Sequence, residues 1–404
     1  MPLNEDFIRR YAELTVRVGL NVQPGQRVAI DTFVEHAPFV RHVAEEAYAA
    51  GASYVDVLYG DQWVRRTHIL NADDEHLGWS PPWLVQRFEQ LGQDGGARLH
   101  IGGNPDPQLF ADLDGARVAG SRMRDLSRAS LALTDGRCNW SIVDFPTPGW
   151  AKLVFGEPDV DRLWDAIATT VRLDEPDPVA AWQEHMANLE RRASALNGRR
   201  FDALHYRGPG TDLTVGLLPD ADWGAAVEES IGIRHVPNMP TEEVFTTPDA
   251  RRADGVVRST YPLQIQGTIV RGLEVRFENG RAIELHADEG EELMRTHTAA
   301  DEGALRLGEL ALVDSTSRVG QTGLVFYDTL FDENASAHIA LGAAIVGAVD
   351  GADRLSPEER HARGINHSNI HTDFMIGSPE LEVVGVTKGG DEVPILSRGE
   401  WVLT

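Results

Sequence analysis

The stretch from Arg27 to Val143 constrains the fold more than any other part of this chain, because strand-like and helix-like runs alternate along it. Arg27-Val28-Ala29-Ile30 reads as a strand after the turn Pro24-Gly25-Gln26. Residues 37–50 read as a helix closing at Gly51, and Tyr54-Val55-Asp56-Val57-Leu58-Tyr59 as a second strand. Strand, helix and strand at this spacing form a βαβ unit, so a parallel sheet is expected. The alternation continues with a helix at 82–91, a strand at 97–101, a helix at 115–130 and a strand around 138–143; a helix at 6–18 precedes it. The expected fold class is α/β, beginning with an open, doubly wound α/β domain.

Pro146-Thr147-Pro148 breaks that pattern. Helices at 160–173 and 178–196 follow, joined by the acidic, proline-containing Asp174-Glu175-Pro176-Asp177-Pro178, and the second stops at Asn197-Gly198. This places a domain boundary near residue 197, with an α/β domain and helical connector at 1–197 and a second domain at 198–404. Strands at 201–206 and 212–217 open the second half, and Asn279-Gly280 marks a hairpin between strands at 273–277 and 282–286. Helices are expected at 288–299, 302–307 and 334–349, an α+β pattern. A chain of 404 residues is long enough for two such domains, each with a full core.

Composition removes several classes of function. With 63 acidic against 37 basic side chains the formal charge is −26, which repels phosphate backbones and anionic lipid, so neither a nucleic-acid nor a membrane partner is expected. The single cysteine, Cys138, allows no intramolecular disulfide and no cysteine-based metal site. No run approaches the ~20 apolar residues that span a bilayer. Met1-Pro2-Leu3-Asn4-Glu5-Asp6 lacks a basic segment followed by an apolar one, which points to a cytoplasmic protein. Gly102-Gly103-Asn104 follows a strand but lacks dinucleotide-binding spacing, and no phosphate-loop, GxSxG or HExxH sequence occurs.

Chemistry-bearing residues cluster in the second half. Asn369-Ile370-His371-Thr372-Asp373-Phe374-Met375-Ile376 reads as a short strand, in which His371 and Asp373 share a face. Such a pair can bind a metal, carry a proton or simply hydrogen-bond to itself. Glu242-Glu243 lies between Pro240 and Val244-Phe245, where adjacent carboxylates repel unless a cation neutralises them or water solvates them. Glu309 leads into the apolar run Leu310-Ala311-Leu312-Val313, and His338 falls among Ala and Leu in the expected helix at 334–349. Three carboxylates and two imidazoles suit a dinuclear site of zinc, cobalt or manganese, with one carboxylate bridging ions ~3.5–4 Å apart. His361 and His367 lie nearby, but the intervening arginine and glycine favour a solvated loop.

Pro-Thr-Glu-Glu-Val-Phe-Thr at 240–246, Leu-Phe-Asp-Glu-Asn-Ala at 330–335, His-Ile-Ala-Leu-Gly at 338–342 and Ser-Asn-Ile-His-Thr-Asp-Phe-Met-Ile-Gly at 368–377 resemble the aminopeptidase T, or peptidase M29, family. The resemblance extends over the whole chain. It implies an amino-terminal α/β domain, an α+β carboxyl-terminal catalytic domain, and a homodimer with an enclosed cavity that acts on short peptides. It also implies two divalent ions held at Glu243, Glu309, His338, His371 and Asp373, and it alone selects Glu243 over Glu242. Two such ions would bind the free amino group, polarise the scissile carbonyl and acidify a bridging water. Glu242 is then the candidate general base, provided a loop or bulge turns it to the side of Glu243.

One position departs from the family pattern. Where the family has a tyrosine seven residues after the histidine at 338, a group typically worth about 3–4 kcal/mol to an oxyanion, this chain has Ile345. Tyr327 is a possible substitute. Two other readings follow from that departure: a mononuclear iron(II) ring-cleaving dioxygenase on the same scaffold, or a catalytically weakened peptide-binding descendant. Glu309 separates the first from the peptidase, since a mononuclear site has no evident use for it.

Overall fold

A computed structural model describes residues 5–265 and 268–404. The chain gathers into two compact units, one of Met1–Glu184 with Val227–Pro240 and the other of His185–Ala226 with Thr241–Thr404.

The first unit is built on parallel strands β1 (Arg27–Phe33), β2 (Tyr54–Gly60), β3 (Ala97–Gly102) and β4 (Asn139–Asp144), in the order β2-β1-β3-β4. Asn238–Met239 extends the sheet beside β4. Crossover from β1 to β2 through the helix Ala37–Ala49 puts β2 on one side of β1, and the return to β3 passes to the other side. This is the doubly wound arrangement expected from the alternation. Pro38 in the first turn of that helix suits a position whose N–H has no partner in the helix.

Two helices were not legible in the sequence. The one at Gln62–Asn71 starts where Asp61 accepts from the backbone N–H groups of Trp63 and Val64. The one at Pro148–Phe155 starts at the proline break, with Thr147 accepting from the Trp150 N–H. The expected helix at 115–130 is two, Gly115–Gly120 and Arg124–Thr134.

Among the described residues the second unit holds two antiparallel sheets of four or more strands and a two-stranded one, Leu263–Ile265 with Thr268–Val270. The larger runs, from edge to edge, through Arg281–His286, Glu274–Glu278, Pro248–Arg258, Thr211–Leu217, Ala203–Gly208, Glu382–Val386, Glu392–Ser397 and Glu400–Trp401. Its Asn279-Gly280 hairpin has φ of 49° and 78° at the two turn residues, as a type I′ turn requires. The smaller sheet comprises β5 (Val244–Thr246), β6 (Leu307–Leu312), β7 (His338–Gly342) and β8 (His371–Met375), in that order.

Strand β7 corrects the helix expected at 334–349. All five of its residues are buried, because it lies between β6 and β8. A short apolar run covered on both faces carries no period by which strand and helix can be told apart. Gly342 ends it at φ 107°, where a Cβ would approach the Ile370 carbonyl oxygen to 2.1 Å. The helix expected at 302–307 shrinks to a 3-10 turn at Glu302–Leu305, after which β6 begins.

Candidate metal centre

Register in the smaller sheet determines which side chains meet. Glu309 on β6 pairs with Ala340 on β7, which pairs with Asp373 on β8, so the three form one row across one face. His338 is two residues from Ala340 and His371 two from Asp373, which puts both imidazoles on that face. Phe245 pairs with Ala311, two residues from Glu309, so Glu243 also projects to this side. The middle of the row is the methyl group of Ala340, which leaves space between the carboxylates.

The ligand-capable atoms of Glu243, Glu309 and His338 lie within 4.8 Å of one another, as do those of Glu309, His371 and Asp373. Glu309 is common to both groups. His338 Nε2 is 3.1 Å from Glu243 Oε2, and His371 Nε2 is 3.0 Å from Glu309 Oε2 and 3.4 Å from Asp373 Oδ1. Each imidazole turns its other nitrogen to a backbone carbonyl, His371 Nδ1 to Ala343 at 2.8 Å and His338 Nδ1 to Ser336 at 3.3 Å. Donation from Nδ1 orients each ring and points Nε2 at the carboxylates; with a metal ion in place of the Nε2 proton, this is the arrangement found around metal-bound histidines.

The electrostatics also call for a cation. Burial opposes charge on both imidazoles, yet the Glu243 contact and the surrounding carboxylates push His338 up to about 10. Asp373 and Glu309 likewise push His371 up to about 12. Burial and the charges of Asp373 and Glu243 raise Glu309, whereas the positive charge of His371 holds Asp373 below its ordinary range despite burial. Apart from the imidazole nitrogens beside them, Glu243 Oε2 and Asp373 Oδ1 are buried with no hydrogen-bond partner among the described residues. Excess buried negative charge with unsatisfied oxygens is costly unless protons or metal ions compensate it, so the donor set fits divalent ions.

Glu333 was not singled out from the sequence. It sits in the turn Glu333–Ala335, where burial and the charges of Asp373 and Glu243 raise its carboxyl well above the ordinary value. With His371 and Asp373 it lines a cavity of about 240 Å3. Its proximity in sequence to His338 was the available signal, masked by reading 334–349 as a helix. Glu242 has the opposite parity to Glu243, and its carboxylate lies 3.6 Å from His185 Nε2 on the helix Pro178–Arg199. Its backbone N–H donates to Asn334 Oδ1 at 2.7 Å, tying this loop to the Glu333 turn. The exposed His361 and His367 join neither group. Ile345 precedes a short 3-10 turn, and its carbonyl accepts from Thr247 Oγ1.

The family model described as thermophilic metalloprotease (M29) matches residues 4–401. The chain belongs to this family. Aminopeptidase T of Thermus aquaticus is 46% identical over 98% of both chains. The structure of wild-type AmpT from Thermus thermophilus superposes with a TM-score of 0.93 at 42% identity, covering 98% of this chain and 99% of that one. A 2,5-dihydroxypyridine dioxygenase from Pseudomonas putida KT2440 covers 100% of this chain and 99% of its own at a TM-score of 0.58, but at 11% identity the likeness extends to the fold alone. Membership of M29 makes the protein a metalloprotease-family hydrolase of mixed α/β fold. Among the described residues no helix is long and apolar enough to cross a membrane.

Proposed function

We propose that the protein is a metallo-aminopeptidase that removes amino-terminal residues from short peptides at a dinuclear centre of zinc, cobalt or manganese. The observation that carries the reading is the sharing of Glu309 between two ligand-capable groups. In this reading Glu243 and His338 would hold one ion and His371 and Asp373 the other, with Glu309 available to both. Ions held there would polarise the scissile carbonyl and lower the pKa of a water. A mononuclear oxygenase site would leave Glu309 without a role.

The chain's own residues then divide the remaining work. His338 and His371 are oriented by their Nδ1 contacts to Ser336 and Ala343, so Nε2 is presented without rotamer search. Proton transfer suits Glu333 better than Glu242, because Glu333 borders the cavity beside His371 and Asp373. Glu242, against His185, holds the loop that presents Glu243. Location of catalysis in the 198–404 half and a homodimeric state, both resting on the family resemblance, complete the proposal together with a cytoplasmic setting.

The test is turnover of aminoacyl-p-nitroanilides and dipeptides by protein stripped with a chelator and reloaded with each metal, alongside metal analysis. Activity that vanishes on chelation and returns with about two ions per chain is expected. No turnover over a broad panel with any of the metals would sink the proposal.

A further inference from the structure

Thr241-Glu242-Glu243 precedes β5 and belongs to no strand, yet all three residues are buried. Buried backbone outside a sheet must find its hydrogen bonds in side chains or water, because no ladder supplies them. Here both ends of a single peptide unit are met. The Thr241 carbonyl oxygen accepts from His185 Nε2 at 2.8 Å, and the Glu242 N–H donates to Asn334 Oδ1 at 2.7 Å. A peptide unit is planar, with its C=O and N–H pointing opposite ways, so partners at both ends fix the orientation of the whole plane.

Both partners are themselves held. A carbonyl oxygen only accepts, so His185 carries its proton on Nε2, and its ring projects from the helix Pro178–Arg199. The Asn334 amide is oriented by its other end, where Nδ2 donates to the Leu330 carbonyl at 2.9 Å, and its backbone carbonyl accepts from Ser317 Oγ at 2.6 Å. Asn334 is wholly buried. The gripped plane ends at the Cα of Glu242, one residue before Glu243. Glu243 is thus held from its carboxyl side by the pairing of Val244 with Leu312, and from its amino side by this peptide. Rotation of the plane would swing the Glu243 carboxylate away from His338. His371 and Asp373 are placed separately, by the pairing of β8 with β7.

We infer that His185 and Asn334 are positioning residues for the ion that Glu243 and His338 would hold. They act through the Thr241–Glu242 peptide and leave the ion at His371 and Asp373 in place. The inference rests on the dinuclear reading and deepens it.

The test is calorimetric titration of chelator-stripped protein with zinc, with melting temperatures measured in parallel. The parent should take up two ions. In His185→Leu and in Asn334→Ala one ion should bind about 10- to 100-fold more weakly, the usual cost of losing a group that orients a metal ligand, and the other should stay within about 3-fold of the parent. His185→Gln keeps an N–H for the Thr241 carbonyl and should recover most of the loss. Combination with ligand variants identifies the ion: Asn334→Ala should weaken the one that remains in His371→Ala and change little in His338→Ala. Leu213→Ala opens a cavity in the core of the larger sheet, and should lower the melting temperature while leaving both affinities alone. Either of the first two variants decides the question, so failure of one to fold leaves the test intact. Equal weakening of both ions, affinities unchanged however far the melting temperature falls, or the same split in Leu213→Ala overturns the inference. A parent that binds fewer than two ions refutes the dinuclear reading itself, a distinct result.

Discussion

Replacing Glu309 by glutamine should have opposite effects on the metal-free and metal-loaded protein. At an effective dielectric of about 20, unit charges attract by about 5.5 kcal/mol at the 3.0 Å separating Glu309 from His371, and repel by about 3.5 kcal/mol at 4.8 Å. Asp373 and Glu243 both lie within the latter distance of Glu309 and repel it by at least that much each, but His338, within the same distance, adds a second attraction. The charge interactions therefore largely offset, and the burial of the carboxylate decides the sign. The raised proton affinity of Glu309 has the same sign. Without metal, Glu309→Gln should therefore stabilise the protein by about 1–2 kcal/mol, since the amide keeps shape and one acceptor while losing the charge. With metal the sign reverses. An ion at 100 times its dissociation constant adds about 2.7 kcal/mol, and two about 5 kcal/mol, most of which the variant should lose. Differential scanning calorimetry of both proteins, stripped and reloaded, measures each arm, with ion stoichiometry measured in parallel. A variant that gains as much from metal as the parent, or that is destabilised by 2 kcal/mol or more when stripped, would show Glu309 to be a structural partner of His371 and would refute the shared-ligand reasoning.

Three other perturbations probe the first unit's core and the surroundings of the site. Burial lowers His36 to about 4, so the unfolded chain takes up a proton that the fold excludes; stability should fall by about 3 kcal/mol between pH 7 and pH 4. Urea midpoints across that range should show a shallower pH dependence in His36→Asn, and identical curves for the two proteins would contradict the assignment. Asp332, whose carboxyl burial pushes up to about 7, accepts from the backbone at Phe326 and Asp328, so Asp332→Asn should cost about 1–3 kcal/mol in chemical denaturation by leaving a backbone donor unmet. Gly342→Ala places a Cβ against the Ile370 carbonyl at φ 107°, and should cost about 3 kcal/mol or more while weakening metal binding, because β8 must shift with His371; a full-affinity variant would argue against that coupling.

The parallel sheet of the first unit was readable from the chain because strand and helix periods differ and alternate cleanly between Arg27 and Val143. The Asn279-Gly280 hairpin was readable because few residue pairs tolerate two consecutive positive φ values. Strand β7 was not readable. Apart from His338, the run His338-Ile339-Ala340-Leu341-Gly342 is apolar and is buried on both faces, so it shows no alternation, and alanine and leucine also favour helix. The chemistry of the site was legible as a set of residue types, and the choice of Glu243 over Glu242 needed the family pattern. What makes that choice physical is parity: Glu243 shares a face with Phe245, and Glu242 turns to His185.

By itself, the sequence determined the α/β character of the first part, that one cysteine cannot form an intramolecular disulfide or a cysteine-based metal site, and the local alternation that points His371 and Asp373 the same way. Only the tertiary structure decided that Glu309, Ala340 and Asp373 form one row, that Glu309 serves both groups, and that Glu333 borders the cavity. Those facts depend on cross-strand register between segments far apart in the chain, and register is set by which faces become buried when the strands assemble.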